Sequence, residues 1–111
     1  MVSISKKLID EMVETVVSEV KPLRIYLFGS CALGTEGTDS DIDLLIIEED
    51  AFNRNHNRWS ELKRIRRALK RFHIPKDILV YSHEEFDQWQ HATNHIIGHA
   101  TRQGRLVYER P

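Results

Sequence analysis

Three short apolar runs that favour β-strands alternate along the chain with longer segments of helical periodicity, and this order limits the fold more than any other feature. The runs are Arg24–Phe28, Asp41–Ile47 and Asp77–Tyr81, which are rich in the branched and aromatic residues that strands prefer. The alternation predicts the α/β class, α+β in type, with helices packed on a small mixed β-sheet. Arg105–Tyr108 is expected to add a short edge strand.

Three segments carry apolar residues at the spacing of a helix face. The first two run from Ser5 to Val20 and from Arg58 to Phe72. The third is predicted to begin after Ser82, which stands three residues before Glu85 as in a capping box, and to end at Gly104, because glycine commonly terminates helices. The residues expected to face inward from this last helix are Trp89, Ala92, Ile96, Ile97 and Ala100.

Composition excludes several classes of protein. A length of 111 residues is typical of a single domain, here expected to span residues 1–111. The net charge of -1 provides no global field for nucleic acid or membranes, so direct nucleic-acid binding is not expected. The lone Cys31 favours a reducing compartment, and no apolar run reaches the roughly 18 residues of a membrane span. We therefore expect a cytoplasmic protein.

Paired aspartates at the second predicted strand indicate a metal-dependent site. Alternate residues of a strand point to the same face, so Asp41 and Asp43 project together. Adjacent carboxylates repel each other unless a cation lies between them, and Mg²⁺ commonly binds one or two carboxylates together with substrate phosphates. Asp77, at the start of the third strand, is the candidate third carboxylate, and two ions could be held. The second strand is expected to end in an acidic turn, Glu48-Glu49-Asp50.

Gly29 and Ser30 provide a candidate phosphate site. They end the first predicted strand, and Asp41 follows after ten intervening residues. Gly29 allows close approach of the backbone, the following N–H groups at a helix start can bind an anion, and the Ser30 hydroxyl can donate a hydrogen bond. Phosphates would then lie between this turn and metal-bound aspartates.

The segment GSCALGTEGTDSDIDLLI resembles the signature of the polymerase-β-like nucleotidyltransferase superfamily, and KDILVY and ATRQGRLVYER are similar to its minimal nucleotidyltransferase (MNT) branch. The resemblance implies the nucleotidyltransferase fold, nucleotide binding by Gly29 and Ser30, and catalytic Mg²⁺ binding by Asp41, Asp43 and Asp77. Members of that branch are typically antitoxins of HEPN-domain toxins, and active ones transfer AMP from ATP to a tyrosine of the toxin. The resemblance thus implies ATP as substrate and a HEPN toxin as partner.

Two alternatives stay open. The chain could neutralise its partner by binding alone, with a vestigial site, because relatives often carry arginine where this chain has Cys31 and Leu33. It could instead transfer a nucleotide to a small molecule such as an antibiotic. Arg24, or the basic helix residues, could compensate for the missing positive charge. Those helix residues are Lys63, Arg64, Arg66, Arg67, Lys70 and Arg71.

Two further patterns favour structural or partner-facing roles. His91, His95 and His99 recur every four residues on the last predicted helix, where a solvent- or partner-facing stripe is favoured over a Zn²⁺ site because no acidic or cysteine ligand is interleaved. Trp59 and Trp89 occupy apolar helical positions or their edges, which predicts anchoring in the core or at an interface.

Overall fold

In the computed structural model of the protein, residues 6–28, 42–95, 97–98 and 104–111 are described. The helices and strands of these ranges follow one another as α1 (Lys6–Val20), β1 (Arg24–Phe28), β2 (Ile42–Glu48), α2 (Arg58–Ala68), β3 (Lys76–Ser82), α3 (His83–Trp89) and β4 (Arg105–Glu109).

The four described strands form one mixed sheet in the order β3-β2-β1-β4. β1 is antiparallel to β2 and to β4, whereas β2 and β3 are parallel. The parallel pair requires a crossover, and α2 lies in that connection. The predicted mixed sheet with packed helices is confirmed, and so is the predicted edge strand, which is β4.

The central strand β2 is covered on both faces, which explains its continuous apolar sequence. One face packs against α1 and α2, and the other packs against Phe86 of α3 and against Ile97. The β2 residues on the first face are Ile42, Leu44 and Ile46. Those on the second face are Leu45 and Ile47. Five apolar residues of β2 are therefore fully buried, and four of them, Leu44–Ile47, are consecutive.

The first two helices form where the apolar periodicity predicts them. α1 buries Ile9, Met12, Val13 and Val16. α2 is capped by Asn57, whose side chain accepts hydrogen bonds from the backbone N–H groups of the second and third residues that follow. It ends at Ala68 rather than at the predicted Phe72, although Phe72 remains buried in the core. No helix of the described residues is long and apolar enough to cross a bilayer.

The start of α3 is confirmed and its predicted length is wrong. Ser82 accepts the Glu85 N–H at 3.1 Å, and the Ser82 N–H donates to the Glu85 carboxylate at 2.9 Å, which completes the capping box. Burial opposes ionisation of Glu85, but the Ser82 N–H and the Arg58 guanidinium outweigh it, so the pKa of Glu85 lies below its ordinary value. The helix ends at Trp89 instead of continuing to Gly104.

The end of α3 has a physical cause in the sequence that follows it. Residues 90–95 lie in turns, and they include threonine and asparagine, which form helices less readily than alanine or leucine. The turn is fixed by His95, whose ring stacks on Trp89 with centroids 4.8 Å apart and whose Nδ1 accepts the Ile97 N–H at 3.2 Å. Ile97 is buried as predicted. Ile96 and Ala100 lie outside the described residues.

Candidate active site

Asp43 and Asp77 are brought side by side by the parallel pairing of β2 and β3. Their Cα atoms are register partners, and neighbouring strands lie about 4.8 Å apart. Partners in a sheet project to the same face, so the two carboxylates share one surface. Asp43 is half-buried and Asp77 is exposed. Two predicted carboxylates that are distant in the sequence thus become neighbours at the edge of solvent.

This pair stands at the end of the sheet where β1 finishes and the two parallel strands begin. Phe28, the last residue of β1, is the register partner of Asp43 on its other side. The start of β2 is tied to the start of β3 by a hydrogen bond of 3.0 Å from the Ile42 N–H to the Pro75 carbonyl. A row of Phe28, Asp43 and Asp77 therefore crosses three strands.

Three predicted site residues lie outside the described ranges: Gly29, Ser30 and Asp41. In the sequence, Gly29 and Ser30 come directly after Phe28, and Asp41 comes directly before β2. Their assignments to phosphate and metal binding remain predictions. The assignment of Asp43 and Asp77 to one site has geometric support from the register of β2 and β3.

An apolar surface continues from Asp43 along the same face of the sheet. It includes Leu45 and Tyr26, and Phe86 of α3 packs on it. The rings of Tyr26 and Phe86 are stacked with centroids 5.7 Å apart. This packing borders Asp43 on one side with apolar side chains.

The donor chemistry of this pair fits a hard divalent cation. Carboxylate oxygens are the ligands that Mg²⁺ takes most readily, usually one or two of them together with water and phosphate oxygens. Asp43 and Asp77 offer such oxygens on one face of adjacent strands, and the exposure of Asp77 leaves an approach from solvent. These two residues would hold a Mg²⁺ ion.

Arg24 is not placed to add positive charge at this pair. It begins β1, four residues before Phe28, which corresponds to about 13 Å along a strand. Its Nε donates to Glu109 at 3.1 Å, and its guanidinium lies 5.3 Å from the centroid of the Phe86 ring. Arg24 therefore ties β1 to β4 and α3.

The basic helix α2 packs on the opposite face of the sheet from Asp43. Arg64 donates to Glu19 of α1 at 2.8 Å, and Arg71 donates to Thr15 of α1 at 2.8 Å. Part of the basic run therefore links two helices. Cys31 and Leu33 lie outside the described residues, so the predicted compensation by this run remains a prediction.

The predictions for the histidines and the tryptophans differ from the structure. His91 and His95 follow α3 in the turn region and do not share a helix face, so the helical stripe is wrong for these two, and His99 lies outside the described residues. The anchoring of the tryptophans in the core is also wrong. Trp59 is 68% exposed and Trp89 is 39% exposed.

Comparison with known proteins shows the family. The nucleotidyltransferase domain family matches residues 9–102, which is most of the chain, and the chain belongs to this family. The family resemblance seen in the sequence is thus confirmed. No curated protein matches the sequence significantly.

Solved structures with the same fold include a protein of Sulfolobus solfataricus assigned to the nucleotidyltransferases. It has 26% identity and a TM-score of 0.64, and the match covers 94% of this chain and 79% of that one. A toxin–antitoxin structure with AMP-PNP has 20% identity and a TM-score of 0.56 over 91% and 73% of the two chains. A complex of tri-AMPylated Shewanella oneidensis HEPN toxin with MNT antitoxin has 18% identity and a TM-score of 0.53 over 95% and 72%.

Proposed function

We propose that this protein is an adenylyltransferase that uses Mg²⁺ and ATP to place AMP on a tyrosine hydroxyl of a HEPN-domain toxin, and so acts as an antitoxin. The observation that carries the proposal is the register of Asp43 with Asp77 in a chain of the nucleotidyltransferase domain family. The fold that it shares with an MNT antitoxin bound to an AMPylated HEPN toxin supports the choice of acceptor.

The proposed site residues divide the work of binding and transfer. Gly29 and Ser30 would bind the phosphates of ATP through backbone N–H groups and a hydroxyl. Asp41, Asp43 and Asp77 would hold Mg²⁺, which when bound supplies charge neutralisation at the phosphates. Positioning of the two substrates and neutralisation of charge account for most catalysis of this kind.

The proposed transfer is a nucleophilic displacement at the α-phosphorus of ATP. The tyrosine oxygen forms a bond to that phosphorus, the bond to the bridging oxygen of the β-phosphate breaks, and pyrophosphate leaves with the electron pair. Asp77, exposed at the start of β3, would accept the hydroxyl proton. The exposure of Asp77 leaves its carboxylate open to an incoming hydroxyl.

The test is the intact mass of the candidate acceptor after incubation with the protein, ATP and Mg²⁺. The acceptor to test is a HEPN-domain protein, sought first as the product of the gene adjacent to the one for this chain. The mass of the acceptor is expected to rise by one or more AMP units. Asp43→Asn and Asp77→Asn are expected to slow this modification by about 100-fold or more, on the scale of losing one group that stabilises transition-state charge.

Asp10→Asn provides the matched control, because Asp10 is an exposed aspartate of α1 on the far side of the sheet. Its activity should equal that of the wild type. A stable complex without any AMP adduct would refute the enzymatic proposal and favour neutralisation by binding alone. An adduct on a small hydroxyl compound, with none on protein, would instead favour an antibiotic-type transferase.

A further inference from the structure

A second cluster of metal-binding side chains lies away from the aspartate pair. Glu48 is the last residue of β2, His56 lies in the connection to α2, and Glu61 lies in the first turn of α2. One ligand atom from each of the three residues lies within 4.8 Å of the other two. The Nε2 atom of His56 is 3.4 Å from Oε1 of Glu48.

The carboxylate of Glu48 is buried without a partner for one of its oxygens. Its side chain is only 6% exposed, and among the described residues no hydrogen bond reaches its Oε2 atom or the Nε2 atom of His56. A buried polar atom without a hydrogen bond costs about 1–3 kcal/mol. Both atoms belong to side chains whose ligand atoms cluster with that of Glu61, and carboxylate oxygens and imidazole nitrogens are atoms that bind divalent cations.

The imidazole of His56 is held in place by its own loop. Its backbone N–H donates to the Asn53 side chain at 2.9 Å, and its carbonyl accepts the Asn53 N–H at 2.8 Å. Its ring stacks on Phe52, with centroids 4.9 Å apart and planes inclined by 10°. The imidazole of His56 is therefore already positioned in the absence of an ion, which lowers the entropic cost of binding a metal ion.

The cluster is independent of the candidate active site. Glu48 is five residues beyond Asp43 on β2, which is about 17 Å along the strand. Because side chains alternate between the two faces along a strand, an offset of five positions places these two side chains on opposite faces of the sheet. An ion here would connect the end of β2 to the start of α2 without contacting the aspartate pair.

We propose that Glu48, His56 and Glu61 bind a divalent transition-metal ion, with Zn²⁺ as the best-suited probe. Imidazole favours Zn²⁺ and its neighbours in the transition series over Mg²⁺ and Ca²⁺. Two carboxylates and one imidazole give three protein ligands and leave a position for water, as in open zinc sites. The ion fastens the loop of residues 49–57 between the sheet and α2.

Calorimetric titration of the metal-stripped full chain with Zn²⁺ tests the proposal. His56→Ala and Glu61→Gln should each lower the affinity of one Zn²⁺ site by at least about 100-fold, since losing even an outer partner of a metal ligand costs 10–100-fold. His73→Ala removes an exposed histidine and should leave that site intact. Asp77→Asn should leave it intact as well, which separates it from the aspartate pair.

A second measurement on the wild-type protein tests the proposal even where a variant fails to fold. In the wild-type protein, the imidazole ¹⁵N signals of His56 should shift on addition of one equivalent of Zn²⁺, and Zn²⁺ should raise Tm. Glu61→Gln preserves side-chain shape and should abolish both effects. Unmoved His56 signals, or Zn²⁺ binding unaffected by both His56→Ala and Glu61→Gln, would overturn the proposal whatever the outcome of the adenylylation assay.

Discussion

Replacing Glu48 with glutamine is expected to stabilise the metal-free protein at neutral pH and above. Burial, together with the neighbouring Glu61 carboxylate, raises the pKa of Glu48 to about 9 from the usual 4.5. The folded protein therefore keeps a proton on Glu48 over a range in which the unfolded chain has released it. In this window the folded state binds more protons than the unfolded state, so stability falls as pH rises.

The magnitude follows from the width of the window. One bound proton changes the free energy of unfolding by about 1.4 kcal/mol per pH unit. Between pH 6 and pH 8 the contribution of Glu48 should fall by about 2.7 kcal/mol, and above a pH of about 9 the fall should level off. Glu48→Gln cannot ionise and removes this loss, while its amide can still donate to Glu61.

The assay is urea unfolding, followed by circular dichroism, in the presence of a chelator at pH 6, 7 and 8. The quantity to plot is the free energy of unfolding of Glu48→Gln minus that of the wild type, because other titrating groups cancel in this difference. Glu84→Gln, which changes an exposed glutamate of α3, is the control and should give a flat difference. A flat difference for Glu48→Gln as well would refute the reasoning from burial.

Three further predictions concern packing and capping. Ser82→Ala should lower the free energy of unfolding by about 1 kcal/mol, because it removes the N-cap hydrogen bond of α3. Thermal unfolding measures this loss, and an unchanged Tm would contradict the prediction. Glu85→Gln should destabilise the protein at pH 7, and the loss should become smaller as pH falls below 4.5. The reason is that the lowered pKa of Glu85 contributes stability that is lost on acidification. An equal loss at pH 3, measured by urea unfolding, would contradict this prediction. Ile46→Ala, at a fully buried position, should lower the free energy of unfolding by about 2–5 kcal/mol, measured by the same urea unfolding. Trp59→Ala, at an exposed position, should lower it far less. Similar losses for the two variants would place Trp59 in the core.

Short-range sequence patterns predicted those helices and strands whose ends depend on neighbouring residues in the sequence. β1 has the predicted bounds, and the capping box of α3 forms as its spacing indicates. The length of α3 was not predictable in this way, because the apolar residues after Trp89 recur at the spacing of a helix face. Contacts of His95 with Trp89 and with the Ile97 backbone fix a turn there instead. Such contacts have no signature in sequence periodicity.

The candidate active site was only partly readable. Sequence spacing predicted that carboxylates stand at the starts of two strands, but the pairing of Asp43 with Asp77 depends on the parallel register. Glu48 was expected in an acidic turn with Glu49, and the structure instead places it in β2 as a buried residue. That expectation was wrong because burial depends on what α2 and its preceding loop cover, which a run of acidic residues does not reveal.

By itself the sequence determined the family, the strand and helix order, and the identity of the acidic groups, because these depend on residue type and short-range spacing. Tertiary structure decided which of those groups meet. The register of β2 with β3 places Asp43 beside Asp77, and the return of α2 onto the sheet brings His56 and Glu61 to Glu48. Both juxtapositions depend on how separate elements pack together, and short-range spacing in the sequence does not specify that packing.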